Sequence, residues 1–169
     1  DPLWEGSKKA LLDYVASGGS LMFVHFANGA FHHSLPGAGD SDWPAWRELC
    51  RRVWDHSLPS SHDQHGAFEV MVSDTEHELT HGIDPFTIRD ELYYHQAGTE
   101  PIHVLLSAVS NDTGEEAPLA WTYELDRYSG KKARVFQTVL GHDAEALATP
   151  ELTEILSRAS VWLARGTFR

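Results

Sequence analysis

Histidine is the residue type in this sequence best suited to chemistry, because its imidazole titrates near neutral pH and ligates metal ions. The chain contains 11 histidines. His25 follows the apolar run 21–24, and His142 follows the strand candidate 135–140 and Gly141. Ligands of open α/β sheets bind beyond the carboxyl ends of the strands, so both positions favour a catalytic or ligand-binding role. At each position, a core histidine satisfied by the backbone is the alternative.

Two polar segments between these histidines add further candidates. The segment 61–65 carries His62 and His65 within a polar loop, which suits either a loop that folds over a site or a solvated turn. Asp90 and Glu91 place two carboxylates at the edge of an apolar stretch. Desolvation there would raise the pKa of one of them toward the range of general acid/base work, whereas a surface pair is the simpler alternative.

Several common kinds of catalytic and nucleotide-binding site are excluded because their sequence motifs are absent. The sequence has no GxGxxG, no GxxxxGK[ST] and no GxSxG, so neither nucleotide fingerprint nor the nucleophile elbow of α/β-hydrolases is present. Cys50 is the single cysteine, which forbids an intrachain disulfide and a thiolate zinc site; we expect it to be buried and inert. The spacings of His25, His62 and His142 are not in themselves a metal signature.

Composition narrows the class of protein. The 169 residues include 13 Lys and Arg against 25 Asp and Glu, for a net charge of −12. Such a chain would repel the phosphates of DNA or RNA, so no nucleic-acid partner is expected. No apolar run approaches the ~20 residues that span a bilayer, so no membrane partner is expected either. The length favours one compact domain.

The hydrophobic pattern predicts the order of elements that would position these residues. It predicts helices over 4–17, from 41 to 55 and from Pro150 with Thr149 as N-cap, and strands over 20–27, 68–72, 103–109, 119–124 and 134–140, with an irregular connection over 74–90. This order favours an α/β sandwich with helices on a largely parallel sheet. A doubly wound sheet normally begins with a strand, but here the first element is a helix.

Taken in order, several short motifs resemble the ThuA-like (trehalose-utilisation) family across nearly the whole chain. They are Gly18-Gly19 with His25, His62-Asp63, the segment 68–77, the segment 82–93 ending in Asp90-Glu91-Leu92-Tyr93, Pro118–Trp121, Gly130–Phe136, Leu140–Asp143, Pro150 and the Trp162 helix.

The resemblance implies a flavodoxin-like three-layer sandwich with a mainly parallel sheet, related to class I glutamine amidotransferases. Those enzymes place a nucleophilic cysteine after the central strand, where this chain has His25, so amidotransferase chemistry is not expected. The family begins with a βαβ stretch, so we expect residues 1–169 to form a single ThuA-like domain that lacks its N-terminal strands. Missing sequence, a complementary N-terminal segment or a neighbour in a homo-oligomer would then supply the first strand.

The resemblance also implies a function. It points to a carbohydrate-catabolic enzyme that cleaves a glycoside or 3-keto-glycoside as a lyase or hydrolase, with a small-molecule sugar as substrate. A divalent metal such as zinc would assist, and no nucleotide cofactor is expected. The implied site residues are His25, His62, Glu91 and His142 as catalytic groups, with His25, Glu91 and His142 also as metal ligands, and Asn28, His65, Asp90 and Tyr93 as substrate contacts.

Two other interpretations stay open at this point. One is a non-catalytic carbohydrate-binding or sensory domain on the same fold, and the other is a hydrolase of a different small polar substrate. A single cysteine fits the cytoplasm, but an export signal would lie in the missing segment, so a periplasmic location is also open.

Overall fold

Four α-helices and eight β-strands make up the described part of the chain, which is residues 2–37, 42–126 and 132–167 of this computed structural model. The helices are α1 (Pro2–Ala16), α2 (Pro44–Leu49), α3 (Ala144–Leu147) and α4 (Pro150–Thr167). The strands are β1 (Leu21–Val24), β2 (Ser61–His62), β3 (Gly66–Val72), β4 (Phe86–Asp90), β5 (Tyr93–Tyr94), β6 (His103–Val109), β7 (Glu116–Leu125) and β8 (Ala133–Thr138). A short 3₁₀ helix, His25–Gly29, follows β1 directly.

The main sheet is mixed. Its six strands lie in the order β1-β8-β7-β6-β3-β4, and β2 and β5 form a separate pair. Among the described strands, β1 and β8 run parallel, whereas the other neighbours in the main sheet run antiparallel. The α/β class is therefore confirmed, but the mainly parallel, flavodoxin-like arrangement is not. The reason is loop length: segments 110–115 and 126–132 are too short for the crossover that joins parallel strands.

Most predicted elements are present, with three corrections to their bounds. The segment 74–90 is not wholly irregular, since it contains β4, in which Phe86, Ile88 and Asp90 are buried and the residues between them are exposed. The second helix is shorter than predicted, because α2 ends at Leu49 and the backbone of Val53 then bonds to Ala97. The predicted strand over 20–27 ends early, with β1, because a 3₁₀ helix follows it.

The core lies between the sheet and its helices. Trp121 and Phe136 are fully buried, and α4 packs its apolar face on β8 and β1. Cys50 is buried and burial raises the pKa of its thiol well above the usual value, as expected of an inert core cysteine. Among the described residues, no helix is long and apolar enough to cross a membrane.

Three strand ends meet at one place. Val24 at the end of β1 pairs with Thr138 at the end of β8. Asp90 at the end of β4 accepts a hydrogen bond from Gly141, just beyond β8, although β4 and β8 lie far apart in the strand order. The sheet therefore curls, and the residues that follow β1, β4 and β8 converge.

Candidate functional site

A compact cluster of three side chains occupies this meeting point. His142 Nδ1 lies 3.1 Å from Glu91 Oε2 and 3.3 Å from His25 Nε2, and His25 Nε2 lies 3.7 Å from the same Glu91 oxygen. The side chains of His25 and Glu91 are each only 15% exposed, and that of His142 is 43% exposed. The structure thus brings together three of the four residues predicted as catalytic, with one open side.

The backbone fixes how His25 faces this cluster. Its Nδ1 lies 2.9 Å from the carbonyl oxygen of Val139. A carbonyl only accepts, so Nδ1 carries the proton, and in the neutral ring Nε2 presents a lone pair to Glu91 and His142. His25 adopts a φ of 50°, a left-handed conformation that is uncommon for a residue other than glycine. Such strain is a recurrent feature of functional sites.

His62 joins the cluster from β2. Its Nδ1 donates to the carbonyl oxygen of Asp63 at 2.7 Å, and its Nε2 lies 3.8 Å from Glu91 Oε1. The two oxygens of Glu91 therefore face different histidines. Because Nδ1 is protonated, Nε2 of a neutral His62 is free to accept a proton. His62 is the fourth predicted catalytic residue, and the structure places it beside the other three.

Tyr93 closes the buried side of the cluster. Its hydroxyl lies 3.0 Å from His25 Nε2, and the residue is 3% exposed. Burial, together with the nearby charges of Glu91 and Asp90, strongly raises the pKa of Tyr93. The hydroxyl therefore stays protonated and donates, with His25 Nε2 and the Glu91 carboxylate as its two acceptors. Tyr93 was predicted as a substrate contact; in this structure it is buried and its hydroxyl contacts His25.

Asp90 has a similar supporting position. It is fully buried, and its carboxylate accepts hydrogen bonds from the backbone of Glu91, Gly141 and His142. These contacts do not favour its predicted contact with a sugar.

The other two predicted substrate contacts lie at different depths. Asn28 is fully buried; its amide donates to Gln96, and its Oδ1 lacks a hydrogen-bond partner among the described residues. His65 lies beside the cluster, with its ring 5.4 Å from that of His142 and its Nε2 3.6 Å from Asp143. His65 is therefore the better placed of the two to meet a ligand.

The donor set of the cluster fits a divalent metal. In a tetrahedral site with bonds of about 2.0–2.2 Å to nitrogen and oxygen, the donors lie roughly 3.3–3.6 Å apart. The separations among His25, Glu91 and His142 span 3.1 to 3.7 Å. Histidines that bind a metal through one ring nitrogen commonly donate a hydrogen bond from the other, as His25 Nδ1 does to the carbonyl oxygen of Val139. Two imidazoles and a carboxylate suit zinc and similar ions.

A second group, His32, His33 and Asp55, also has the residue types of a metal site. Arg47 donates to His33 Nδ1, which uses the lone pair of that atom and places a cation beside the group. Burial lowers the pKa of His32; burial alone would raise the pKa of Asp55, but hydrogen bonds from Ser57 lower it. This group therefore resembles a structural network more than a cation site.

The second group lines a groove of about 600 Å³, whereas the His25 cluster does not. The groove volume thus favours the second group as a ligand site, whereas the side-chain chemistry favours the His25 cluster. We assign the candidate site by chemistry, because three imidazoles surround the Glu91 carboxylate at the His25 cluster.

Sequence reasoning missed two contributors to the site. The carbonyl of Val139 orients His25, and the ring of Trp54 packs 4.7 Å from that of Tyr93 and 5.9 Å from that of His62. Trp54 lies in the segment 41–55, which was predicted to be one helix. No local sequence signal identifies either contact, since both depend on the chain folding back on itself.

The chain is similar to known proteins at the level of family and of fold. The model of the ThuA family, described as trehalose utilisation, matches residues 1–163. A search of curated proteins found no match. Among solved structures, a ThuA-like protein from Parabacteroides merdae ATCC 43184 is 24% identical with a TM-score of 0.76, covering 95% of this chain and 65% of its own. A ThuA-like protein from Bacteroides uniformis ATCC 8492 is 17% identical with a TM-score of 0.68, covering 92% of this chain and 62% of its own. This chain thus spans less than two thirds of either structure.

Proposed function

Because this chain belongs to the ThuA trehalose-utilisation family, we propose that it acts in sugar catabolism by cleaving a glycoside, with a 3-keto-glycoside as the preferred form. The reaction would take place at His25, His62, Glu91 and His142. One observation carries the proposal: the Glu91 carboxylate lies among three imidazoles, two of which have Nδ1 fixed on a backbone carbonyl and Nε2 turned inward.

A 3-keto group makes cleavage by elimination accessible. It acidifies the proton on C2, so a base removes that proton while the C1–O bond to the leaving group breaks. The electron pair of the C2–H bond forms a C1=C2 double bond, and the departing oxygen takes up a proton. The products are an unsaturated keto sugar and the released alcohol, which is glucose when the substrate is 3-keto-trehalose. No oxidant, reductant or nucleotide is consumed.

His62 is the best-placed base for this step. Its Nε2 faces the cluster, and its side chain is 37% exposed. The carbonyl of Asp63 and the carboxylate of Glu91 both stabilise the imidazolium that forms. That imidazolium then returns the proton to the leaving oxygen, so one residue serves as base and acid.

His25, Glu91 and His142 would hold a divalent metal ion such as zinc. When bound, such an ion polarises a carbonyl oxygen as a Lewis acid, which favours loss of the neighbouring proton. The ring of Tyr93 packs 4.9 Å from that of His25, and its hydroxyl would donate to the Glu91 carboxylate once His25 Nε2 holds the metal. His65, beside the open side of the cluster, would bind sugar hydroxyl groups.

The test is a product analysis with purified protein, using trehalose and 3-keto-trehalose in the presence of Zn²⁺. We expect glucose release from the keto sugar, little or none from trehalose, and loss of release in Glu91→Gln. Substrate labelled with deuterium at C2 should react more slowly, because the C2–H bond breaks. Sugar binding without turnover would contradict the proposal and favour the carbohydrate-binding alternative.

A further inference from the structure

Asp90 is the most completely enclosed carboxylate near the cluster. It is 0% exposed, and its Oδ2 accepts from the backbone N–H of Gly141 at 2.6 Å. Its Oδ1 accepts from the N–H groups of Glu91 at 2.8 Å and His142 at 3.1 Å. A buried carboxylate is tolerated only when donors satisfy it, and here three backbone donors do so.

The three N–H donors belong to two backbone segments that carry residues of the cluster. Glu91 follows β4, whereas Gly141 and His142 follow β8. Glu91 and His142 are also the residues whose side chains meet at 3.1 Å. One carboxylate therefore ties together the two backbone segments that carry these two side chains.

We propose that Asp90 is a positioning residue, whose carboxylate sets the distance between Glu91 and His142 by holding the backbone of both. It does not touch the substrate. This inference rests on the proposed function for its effect on turnover, but its effect on geometry is independent of any reaction. It also replaces the role of substrate contact that the sequence suggested for Asp90.

The chemistry of the side chain explains why an isosteric amide cannot substitute. Both oxygens of Asp90 accept from N–H groups, and asparagine offers one oxygen and one NH₂ group. In either orientation of the amide, its NH₂ faces at least one backbone N–H. The segment that carries Gly141 and His142, or the one that carries Glu91, must therefore move.

Asp55 offers a matched control. It is also a buried aspartate, and its carboxylate accepts from the backbone N–H and the hydroxyl of Ser57. Its hydrogen bonds do not involve Glu91, Gly141 or His142. Asp55→Asn therefore removes a comparable buried charge without releasing the cluster.

The experiment compares the wild type, Asp90→Asn and Asp55→Asn in three measurements. The first is the nuclear Overhauser effect between the rings of His25 and His142, whose centroids lie 5.2 Å apart. The second is Zn²⁺ affinity by competition with a chelating dye. The third is kcat and KM on 3-keto-trehalose.

We expect Asp90→Asn to lose the ring contact, and to lose about 10- to 100-fold in Zn²⁺ affinity and in kcat with KM little changed. Asp55→Asn should keep all three, even if both variants are less stable. Retention of the ring contact in Asp90→Asn, or equal losses in both variants, would overturn the inference. If the wild type binds no Zn²⁺ and turns over no substrate, the proposed function fails, but the ring contact still decides the role of Asp90.

Discussion

His142 Nδ1 lies 3.1 Å from Glu91 Oε2, and the two residues reach this contact from the ends of different strands, β8 and β4. The neighbouring His25 shares the same carboxylate oxygen at 3.7 Å. Three groups that bind protons or metal ions thus face one another across a small gap. The other Glu91 oxygen faces His62. This arrangement assigns different tasks to the histidines, and the assignment can be tested.

Substitution of His142 and of His62 should have separable effects. His142→Ala removes a proposed metal ligand, so both Zn²⁺ binding and turnover should fall. His62→Ala removes the proposed base, so kcat should fall about 10²- to 10⁴-fold while Zn²⁺ affinity is retained. Dye-competition titration and steady-state kinetics on 3-keto-trehalose measure the two quantities. If His62→Ala weakens Zn²⁺ binding as much as His142→Ala, the division of roles is wrong.

Tyr93→Phe tests the support of His25. It removes the hydroxyl that donates to His25 Nε2, and loss of one hydrogen bond of this kind costs about 0.5–1.5 kcal/mol of unfolding free energy. Turnover should also fall, by about 10- to 100-fold, because the hydroxyl that supports Glu91 beside His25 is lost. Tyr94→Phe is the control from the same strand, since the hydroxyl of Tyr94 makes only a 3.5 Å contact with Asp112. Urea unfolding and kinetics should leave Tyr94→Phe close to the wild type in both quantities.

Gly141→Ala tests the turn that carries His142. Gly141 has a φ of 109°, and a Cβ there would lie 3.0 Å from Leu147 Cδ2. The strain should cost about 1–2 kcal/mol and displace His142. Gly114→Ala is matched, because Gly114 has a φ of 71° but a Cβ there would meet no atom within 4 Å among the described residues. Thermal unfolding should show a loss in both variants, and kinetics should show a loss only in Gly141→Ala. Unchanged activity of Gly141→Ala would show that the turn is not important for the site.

The pH dependence of stability should reflect His77. Burial and the charge of His103 lower the pKa of His77, so the unfolded chain binds a proton at this residue more readily than the folded protein. Stability from this group is therefore present above the unfolded pKa of about 6.5 and is lost as the pH falls through it toward the lower folded pKa.

His77→Asn keeps an acceptor for the Leu79 N–H, which bonds to His77 Nδ1, but removes the titration. Urea unfolding at a series of pH values from neutral to mildly acidic should show a smaller loss of unfolding free energy toward acid pH in the variant than in the wild type. Equal slopes in the two proteins would contradict the assignment to His77.

The sequence indicated the candidate site better than it indicated the sheet. His25 directly follows an apolar run, and His142 follows a strand candidate and Gly141. The ends of strands are where α/β proteins bind ligands, so the convergence of the two residues could be predicted. The parallel direction of the sheet could not, because it depended on the analogy with doubly wound folds and overlooked how short the connections at 110–115 and 126–132 are.

Roles that depend on burial were the least predictable. Asp90 and Glu91 are adjacent in the sequence, yet Asp90 faces three backbone N–H groups and Glu91 faces the histidines. The alternation of Phe86 and Ile88 indicates a strand that would bury Asp90 as well, but the turn residues before it favoured a loop. The partner of His25, the carbonyl of Val139, becomes visible only once β1 and β8 pair.

The proposed function places the cleavage of a keto sugar at the cluster of His25, Glu91 and His142. The most direct measurement is glucose release from 3-keto-trehalose by the wild type and by Glu91→Gln, with Zn²⁺ supplied to both and folding verified by circular dichroism. We predict that the wild type releases glucose and that the rate of release falls at least about 10²-fold in the variant. The reason is that the Glu91 carboxylate contacts His25, His62 and His142. Equal release by two folded proteins, or no release by a wild type that binds the sugar, would contradict the claim.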